Sequence, residues 1–363
     1  MSKRKKAVFV AVKLLFMAGL LAWLLYDARQ NNFLAFQELL QQDKQWIYLI
    51  GAFAFGLSAV LLTLVRWAML ARAIGIPCTT REGIRLGMLG FLFNLSPLGV
   101  AGGDLVKTVL LEKRYKPGYA KSLASVFVDR VIGLYVLFAF ATVAMLVAGF
   151  HTSSHPFVHK AFLVVLGSTI AGTVGLVAML APDISGGATI RWLLKIPRVG
   201  KPLHQVATSV QMYSNKLGVL LKAAAMTVFV HAFFAMAIFL IAAGLYDRHP
   251  SFAHHMALSP TANTTAIIPL AAGPYEIVMD GLYPCVPSYE DGVEVEPIGP
   301  GQGLVIALGY RFNMLLIALV GLVYYYTARA EVVEALHAVE EEGEDAVEEK
   351  GEDAIEEDEP DET

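Results

Sequence analysis

Six apolar stretches recur along the chain, each long enough to cross a lipid bilayer as a helix. Crossing the hydrocarbon core takes about 20 consecutive apolar residues in helical conformation. Hydrophobic residues make up 56% of the sequence and charged residues 17%, and a soluble protein of this composition would expose large apolar patches. We therefore predict an all-α, polytopic membrane protein whose full spans are residues 7–26, 46–65, 130–150, 161–181, 219–244 and 302–327.

Two further apolar stretches, residues 84–103 and 259–283, are interrupted by proline and glycine. Pro97 and Pro269 lie within them, each with glycines close by. Proline breaks a regular helix, and broken backbone is tolerated at membrane depth only where protein or water covers it. Two structures fit such stretches. They are either re-entrant helical hairpins that enter and leave on one face, or two ordinary spans, which would give eight full spans.

The charges of the loops favour the hairpins, because short cytoplasmic loops carry an excess of Lys and Arg. With the basic N-terminus inside, the loop after the second span also lies inside, and it carries four arginines. If residues 84–103 crossed fully, the basic loop that follows would lie outside. That loop carries Lys107, Lys113, Arg114, Lys116 and Lys121. A hairpin keeps both basic loops, and both chain termini, in the cytoplasm.

With this topology the membrane domain, residues 1–330, divides into two repeats of opposite orientation, at about 7–150 and 161–327. Each repeat has two spans, a broken hairpin and another span. Inverted repeats with paired broken segments are typical of secondary transporters, and the breaks point to the substrate site. Residues 331–363 are strongly acidic, so we expect a largely disordered cytoplasmic tail behind a domain that lies in the cytoplasmic (inner) membrane.

The most specific local pattern begins within the first broken stretch and continues into the next span. Its first block reads Asn94-Leu-Ser-Pro97-Leu-Gly99-Val-Ala-Gly102-Gly103-Asp104-Leu-Val-Lys107. Its second block reads Asp129-Arg130-Val-Ile-Gly133-Leu134. An Arg-Trp pair, Arg66-Trp67, precedes both blocks at the end of the second span.

These residues resemble the lysylphosphatidylglycerol synthase transmembrane-region family, a flippase-like membrane domain. Members show Arg-Trp, then Phe-x-Asn-x-x-Pro-Gly-x-x-Gly-Gly-Asp, then Asp-Arg-x-x-Gly-Leu. Here Leu98 is inserted between the proline and the glycine of the first block. A block from Pro269 to Glu276 resembles the family's Pro-x-x-Gly-Gly-x-Gly-x-x-Glu more loosely, because it has lost glycines. The resemblance covers most of residues 1–330.

The resemblance implies translocation of an anionic phospholipid, or of a polyprenyl-phosphate type of lipid-linked substrate, across the cytoplasmic membrane. Some members carry a soluble aminoacyl-transferase domain after the membrane region. This chain has the acidic tail at that place, so only the membrane function is implied, and we expect a transporter rather than an enzyme. The expected partners are membrane lipids and an anionic lipid or lipid-linked substrate. No cofactor, metal ion or nucleic acid is expected.

Ionisable side chains in the apolar stretches point to the same regions. A charge inside the bilayer costs at least a few kcal/mol, so it must pair or face a wet cavity. We expect Asp104, at the foot of the first hairpin, to pair at the mouth of the next span, where Asp129 and Arg130 lie, and Glu276 to pair with Arg311. The expected substrate-binding residues are Arg66, Asn94, Pro97, Gly102, Gly103, Asp104, Lys107, Asp129, Arg130, Glu276 and Arg311.

Several alternatives stay open. An Arg–carboxylate pair either grips phosphate through the planar guanidinium or simply fixes a hairpin in place. His231, in the middle of residues 219–244, suits either a proton relay or a hydrogen bond between helices. Two alternative functions are open for the whole protein. It is either an accessory or scaffold for a separate lipid-modifying enzyme or glycosyltransferase, or an intramembrane enzyme that uses Asp104 or Glu276 as acid or base. The sequence contains no nucleotide-binding loop, zinc signature or nucleophile elbow.

Overall fold

The computed structural model describes residues 41, 43–94, 100–180, 208–209, 211–267, 273–299 and 301–326. The predicted first span, 7–26, and the acidic tail, 331–363, lie outside these residues and stay predictions. Helices dominate the described part of the chain, which confirms the all-α prediction. They are α1 (Trp46–Ala73), α2 (Thr80–Phe93), α3 (Val100–Tyr115), α4 (Tyr119–Val147), α5 (Pro156–Leu180), α6 (Leu217–Leu245), α7 (Phe252–Asn263), α8 (Pro274–Leu282) and α9 (Gln302–Tyr326).

Five of these helices, α1, α4, α5, α6 and α9, are long and apolar enough to cross a membrane. Each overlaps one of the predicted spans, although α1 and α4 extend well beyond the predicted residues 46–65 and 130–150. At 1.5 Å per residue they are about 37–44 Å long, which exceeds the ~30 Å hydrocarbon core. A multi-pass membrane protein is therefore confirmed.

The long helices alternate in direction around α1. Arg66 of α1 contacts α4 at Asp129 and α6 at Thr227, whereas a side chain at Gly51, near the start of α1, would meet Leu240 of α6. Both α4 and α6 therefore run antiparallel to α1. Asn313 of α9 donates a hydrogen bond to the Ala52 carbonyl near the start of α1, and a side chain at Gly56, one turn later, would meet Ile317, one turn later in α9. Helix α9 therefore runs parallel to α1. These relative directions agree with the alternation that the loop charges predict.

Helices α2 and α3 form an antiparallel hairpin that opens at the C-terminal end of α1. The hairpin lies against α1, because the glycines at positions 83 and 87 let α2 approach Ala68 and Leu64 closely. Its arms have 14 and 16 residues, about 21 and 24 Å, and each is shorter than the hydrocarbon core. Near the tip, Gly103 of α3 packs directly on Asn94 and Gly90, where a β-carbon has no room.

Polar contacts hold the two feet of this first hairpin together. Arg114 at the end of α3 pairs with Glu82 at the start of α2, with 3.0 Å between Nη2 and Oε1. The Tyr115 hydroxyl also donates to the Glu82 carboxylate, and this hydrogen bond holds the pKa of that carboxyl below its ordinary value. The carboxylate is thus a fixed acceptor that joins both arms near neutral pH.

Helices α7 and α8 form a second, shorter hairpin that opens at the opposite end of the bundle. It begins just after α6, where Phe239 packs edge to face on Phe252 and His255. The two arms meet through the Tyr283 hydroxyl and His255 Nε2, which are 2.8 Å apart. A small antiparallel sheet covers this end, in the order β1 (His249–Pro250), β2 (Ser288–Glu290) and β3 (Val293–Val295).

The hairpins differ from the predicted stretches in their boundaries. The predicted ranges 84–103 and 259–283 follow the apolar residues, whereas the hairpins extend over 80–115 and 252–282. In the first hairpin the arms continue through charged residues at the feet, where Glu82 and Arg114 pair and do not interrupt the helices. In the second hairpin the first arm already begins at Phe252, where the Ser251 side chain caps the helix. The two hairpins open at opposite ends, and the division into inverted repeats at about 7–150 and 161–327 stays a prediction. The number of full membrane crossings stays a prediction.

The close packing of Gly103 predicts a selective effect of a single methyl group. In Gly103→Ala the new β-carbon would overlap Asn94 and the carbonyl oxygen of Gly90, so the hairpin tip must open. We expect a loss of thermal stability in detergent, measured by fluorescence-detected gel filtration after heating. Gly175→Ala is the matched control, because its β-carbon would meet no atom within 4 Å. Equal melting of the two variants would contradict this packing.

The arrangement of the hairpins predicts the accessibility of their feet. We expect Arg81→Cys and Lys116→Cys to share one face of the membrane, and Asp247→Cys and Asp291→Cys to share the other. The measurement is labelling of intact cells with a membrane-impermeant maleimide, in a background without the two native cysteines. Reaction of only one of the first two sites would show that a hairpin arm crosses the bilayer.

Candidate functional site

The first charged centre lies near the tip of the α2–α3 hairpin and consists of Asp104, Lys107 and Arg130. Arg130 donates two hydrogen bonds to the Asp104 carboxylate, from Nε and Nη2, both 2.7 Å long. Lys107 Nζ is 3.6 Å from Asp104 Oδ1. Two basic side chains share one carboxylate, so the formal charge of this first centre is +1.

The expected Asp104–Arg130 pair is present, but its predicted depth is wrong. Asp104 lies in the second turn of α3, beside the tip of the hairpin and not at its foot. Arg130 lies eleven residues after Tyr119, where α4 begins, and not at the mouth of the span. Only the short turn before Tyr119 separates α3 from α4, so both side chains lie about 16 Å along their helices from that turn. The pair is therefore deep within the bundle.

Lys107 is almost completely buried and is held by Trp67. Its Nζ is 5.6 Å from the centroid of the Trp67 ring, in a cation–π contact, and its aliphatic part passes over Gly90. The residue itself is 5% exposed. Burial of a second cation beside Asp104 biases the first centre toward anions, because removing a charge from water is costly unless an opposite charge compensates it.

Arg66 and Asp129 form a separate, enclosed ion pair next to this centre. Arg66 Nε donates to Asp129 Oδ1 over 2.8 Å, and Nη2 donates to the Asp129 carbonyl oxygen over 3.2 Å. Nη1 donates to the Thr227 hydroxyl. Both charged side chains are at most 5% exposed. This pair therefore joins α1, α4 and α6 through the guanidinium of a single residue.

The second charged centre lies at the start of α8 and consists of Tyr275, Glu276, Tyr310 and Arg311. Arg311 Nε donates to Glu276 Oε1 over 2.6 Å, which is the pair expected from the sequence. The other oxygen of Glu276 accepts from the Gly273 backbone N–H over 2.7 Å. The Arg311 guanidinium lies 5.2 Å from the Tyr275 ring centroid, and the Tyr275 and Tyr310 rings are 5.4 Å apart. This second centre is neutral and aromatic.

The arginine of each centre is the more exposed partner of its pair. The side chains of Arg130 and Arg311 are 43% and 41% exposed, whereas those of Asp104 and Glu276 are 21% and 0% exposed. Arg66 lies fourteen positions after Ala52 in α1, which sets the centres about 20 Å apart along the bundle. An exposed arginine at such depth needs water, a lipid phosphate or another anion beside it.

Three other predicted site residues, Asn94, Gly102 and Gly103, lie around the first hairpin tip. Gly102 and Gly103 are buried in the first turn of α3. Asn94 ends the first arm, and its side-chain oxygen is buried with no hydrogen-bond partner among the described residues. Pro97 lies outside the described residues.

Sequence reasoning missed four residues that shape the site: Trp67, Thr227, Tyr275 and Tyr310. Trp67 and Tyr275 had a usable signal, because they directly neighbour Arg66 and Glu276 in the motif blocks. Thr227 had a weak signal, as a hydroxyl in an apolar span. Tyr310 had no such signal, because the sequence does not distinguish a tyrosine at a binding site from one at the membrane interface or in the core.

The enclosed Arg66–Asp129 pair predicts a large loss of stability when one partner is neutralised. Asp129→Asn leaves the buried Arg66 charge without a counter-charge, which typically costs about 3–5 kcal/mol. The free energy of unfolding in mixed micelles with SDS measures this loss. Arg114→Gln is the control, because an exposed ion pair contributes no more than about 1 kcal/mol. Comparable losses in the two variants would contradict the enclosed pair.

Comparison with known proteins supports a family but no individual relative. A search of curated proteins and a search of solved structures each found no match. The sequence profile described as Lysylphosphatidylglycerol synthase TM region matches residues 10–321, a range that contains both charged centres and all five long helices except the last turn and a half of α9. The chain belongs to the family of the lysylphosphatidylglycerol synthase TM region.

Proposed function

We propose that this protein translocates an anionic phospholipid, or a lipid-linked substrate of the polyprenyl-phosphate type, between the leaflets of the cytoplasmic membrane. Membership of the family supports a function connected with membrane lipids. The observation that carries the proposal is the pair of exposed arginines at opposite hairpins. Arg130 and Arg311 each pair with a less exposed carboxylate, that of Asp104 or Glu276, and keep part of the guanidinium accessible.

A phosphate at the first centre exchanges one anionic partner of Arg130 for another. Without substrate, Asp104 compensates the guanidinium through its two hydrogen bonds. An arriving phosphodiester accepts hydrogen bonds from the same planar pair of N–H groups, because arginine binds carboxylate and phosphate with similar geometry. The net positive charge contributed by Lys107 favours this arrival. The arginine is never left without a counter-charge, which keeps the cost of each step low.

The two centres provide successive positions for the head group while the lipid tails stay in hydrocarbon. The first hairpin opens at the C-terminal end of α1 and the second at its N-terminal end. We assign the first of these ends to the cytoplasm, because its loops carry exposed basic residues such as Arg81 and Lys116. Inverted-repeat transporters usually open alternately to the two faces by rocking or gating of one repeat against the other.

Arg66 and Asp129 have a different role in this proposal from the one expected from the sequence. Their charged groups bind each other and Thr227 inside the bundle, with no face left for a ligand. In this proposal Arg66 and Asp129 hold α1, α4 and α6 together next to the path of the head group. Asn94 and Lys107 remain beside that path.

Lipid exchange in proteoliposomes tests the proposal. We expect wild-type protein to expose fluorescent phosphatidylglycerol from the inner leaflet to an external quencher. Arg130→Gln and Arg311→Gln should each slow this exchange at least about tenfold, because a lost charge-assisted hydrogen bond is worth roughly 1.5–3 kcal/mol. Arg114→Gln is the matched control, since Arg114 pairs at the exposed hairpin foot. Fluorescent phosphatidylcholine reports on exchange that is not specific for anionic lipids.

Two results would count against the proposal, the first against the role of the arginines and the second against translocation itself. Equal exchange of phosphatidylglycerol by all variants would show that the arginines do not contact the head group. Exchange no faster than in protein-free vesicles would favour the alternative function, an accessory protein for a lipid-modifying enzyme or glycosyltransferase. Arg130→Lys refines the assignment, because lysine keeps the charge but loses the planar pair of donors and should give an intermediate rate.

A further inference from the structure

The charge of this chain is divided sharply between the membrane domain and the tail. Residues 331–363 contain seventeen Asp and Glu residues and one Lys, so their formal charge is −16. Residues 1–330 contain the other 27 basic and 15 acidic residues, which gives a formal charge of +12. The two parts together give the −4 of the whole chain. Each part therefore carries the counter-charge that the other lacks.

Much of the positive charge surrounds the feet of the first hairpin. Two acidic residues lie there, and both are engaged: Glu82 pairs with Arg114, and Glu112 accepts a hydrogen bond from the Ser122 hydroxyl. Seven basic residues against these two give a formal charge of +5. We call this region the foot surface, and its basic residues are Arg72, Arg81, Arg85, Lys113, Arg114, Lys116 and Lys121.

Three cations of the foot surface are exposed and uncompensated. Arg81, Lys116 and Lys121 have neither a hydrogen bond nor an ion pair within the part of the chain that the structure describes. Like charges that lie close together create a positive potential over the whole surface, and an anion that binds there interacts with all of them. The foot surface thus favours a partner with many negative charges over a single anion.

Helix α9 ends beside this surface. A side chain at Gly321 would meet the Met88 carbonyl of α2, and Tyr324 packs on the same apolar cluster as Ile84. Gly321 is five residues before the end of α9, and Met88 is seven residues after Arg81, so α9 ends within about one helical turn of the level of Arg81. The tail begins five residues later, at most about 18 Å away.

Two sources of negative charge compete for the foot surface, the tail and the anionic lipids of the adjoining leaflet. The lipids repel a tail that starts so close to the membrane, unless basic side chains compensate its charge. Attachment keeps the tail near the foot surface at an effective concentration on the order of millimolar. A single exposed ion pair is weak, but one segment with many carboxylates forms several such pairs at once.

We propose that residues 340–362 dock on the foot surface of the same chain. The inference stands independently of lipid translocation, because it uses only the charges and the position of α9. The sequence offers two nearly identical docking blocks, 343–349 and 351–357, which read Gly-Glu-Asp-Ala-Val-Glu-Glu and Gly-Glu-Asp-Ala-Ile-Glu-Glu. Each block presents four carboxylates, so either block suits the three uncompensated cations.

Zero-length cross-linking tests the docking in the full-length protein. A carbodiimide joins a lysine amine to a carboxylate in contact with it, and mass spectrometry identifies the joined peptides. In nonionic detergent at low salt we expect links from Lys116 and Lys121 to residues 340–362 within one chain. Lys160 is the matched control, because it is equally exposed but lies near the start of α5, at the opposite end of the bundle. Salt at 1 M should remove most of the links, since it screens exposed charges beyond about 3 Å.

Three results would overturn the docking. Links to Lys160 as frequent as those to Lys116 and Lys121 would show contact without a preferred surface. Links only between two chains, detected by mixing isotope-labelled and unlabelled protein, would assign the tail to another molecule. The third result comes from nanodiscs in which one third of the lipid is phosphatidylglycerol and the rest is phosphatidylcholine. We expect the links to persist there, whereas their loss would assign the foot surface to anionic lipids.

Neutralising the two blocks provides a second test that leaves the described helices unchanged. The Asp and Glu residues of 343–349 and 351–357 are replaced by Asn and Gln, and Lys116→Cys then reacts with a negatively charged thiol reagent, in a background without the native cysteines. A docked tail repels this reagent, so neutralisation of both blocks should speed the reaction on the order of tenfold, and of one block by less. Asp247→Cys, at the opposite end, should react at an unchanged rate. Equal rates of Lys116→Cys with native and neutralised tails at low salt would overturn the inference.

Discussion

The cost of an uncompensated charge in a medium of low polarity governs this structure. Each arginine deep in the described helices lies within hydrogen-bonding distance of a carboxylate: Arg66 with Asp129, Arg130 with Asp104, and Arg311 with Glu276. Moving a lone guanidinium from water to the interior costs several kcal/mol, which is comparable to the net stability of a whole domain. The helices are therefore arranged so that partners from different segments meet, and the hairpins bring the carboxylates to depth.

The same cost explains why the two hairpins are short and broken. The arms of the hairpins are about 14–24 Å long. The tip of each hairpin therefore lies at a depth that a surface loop does not reach, while its feet remain at one end of the bundle. The unpaired backbone N–H groups at the start of a helix then lie inside the protein, where a side chain can accept hydrogen bonds from them. In the second hairpin Glu276 caps the Gly273 N–H and holds Arg311 with its other oxygen, so one carboxylate satisfies backbone and side chain together.

The fold was largely predictable from sequence, because span length and loop charge each follow from a single physical rule. Helices α1, α4, α5, α6 and α9 agree with predicted spans, and the two pairs at the hairpins were expected from their residue types. The depth of the charged side chains in the bundle was not predictable in the same way. Apolar windows place Arg130 at the start of a span, whereas α4 begins at Tyr119, because its first turns lie against the rest of the protein and tolerate polar residues.

The neighbours Asp129 and Arg130 show why a motif alone does not assign roles. Successive residues of a helix point about 100° apart, so Asp129 faces α1 while Arg130 faces α3. The ion pair of Asp129 with Arg66 is enclosed. If Asp129 released Arg66, the buried guanidinium would have no other anion to compensate its charge. The pair that Arg130 makes has an exposed face, and an incoming anion can compensate the guanidinium before Asp104 releases it. Chemically similar Arg–Asp pairs therefore differ in what they can do, and the difference follows from which side of one helix each residue occupies.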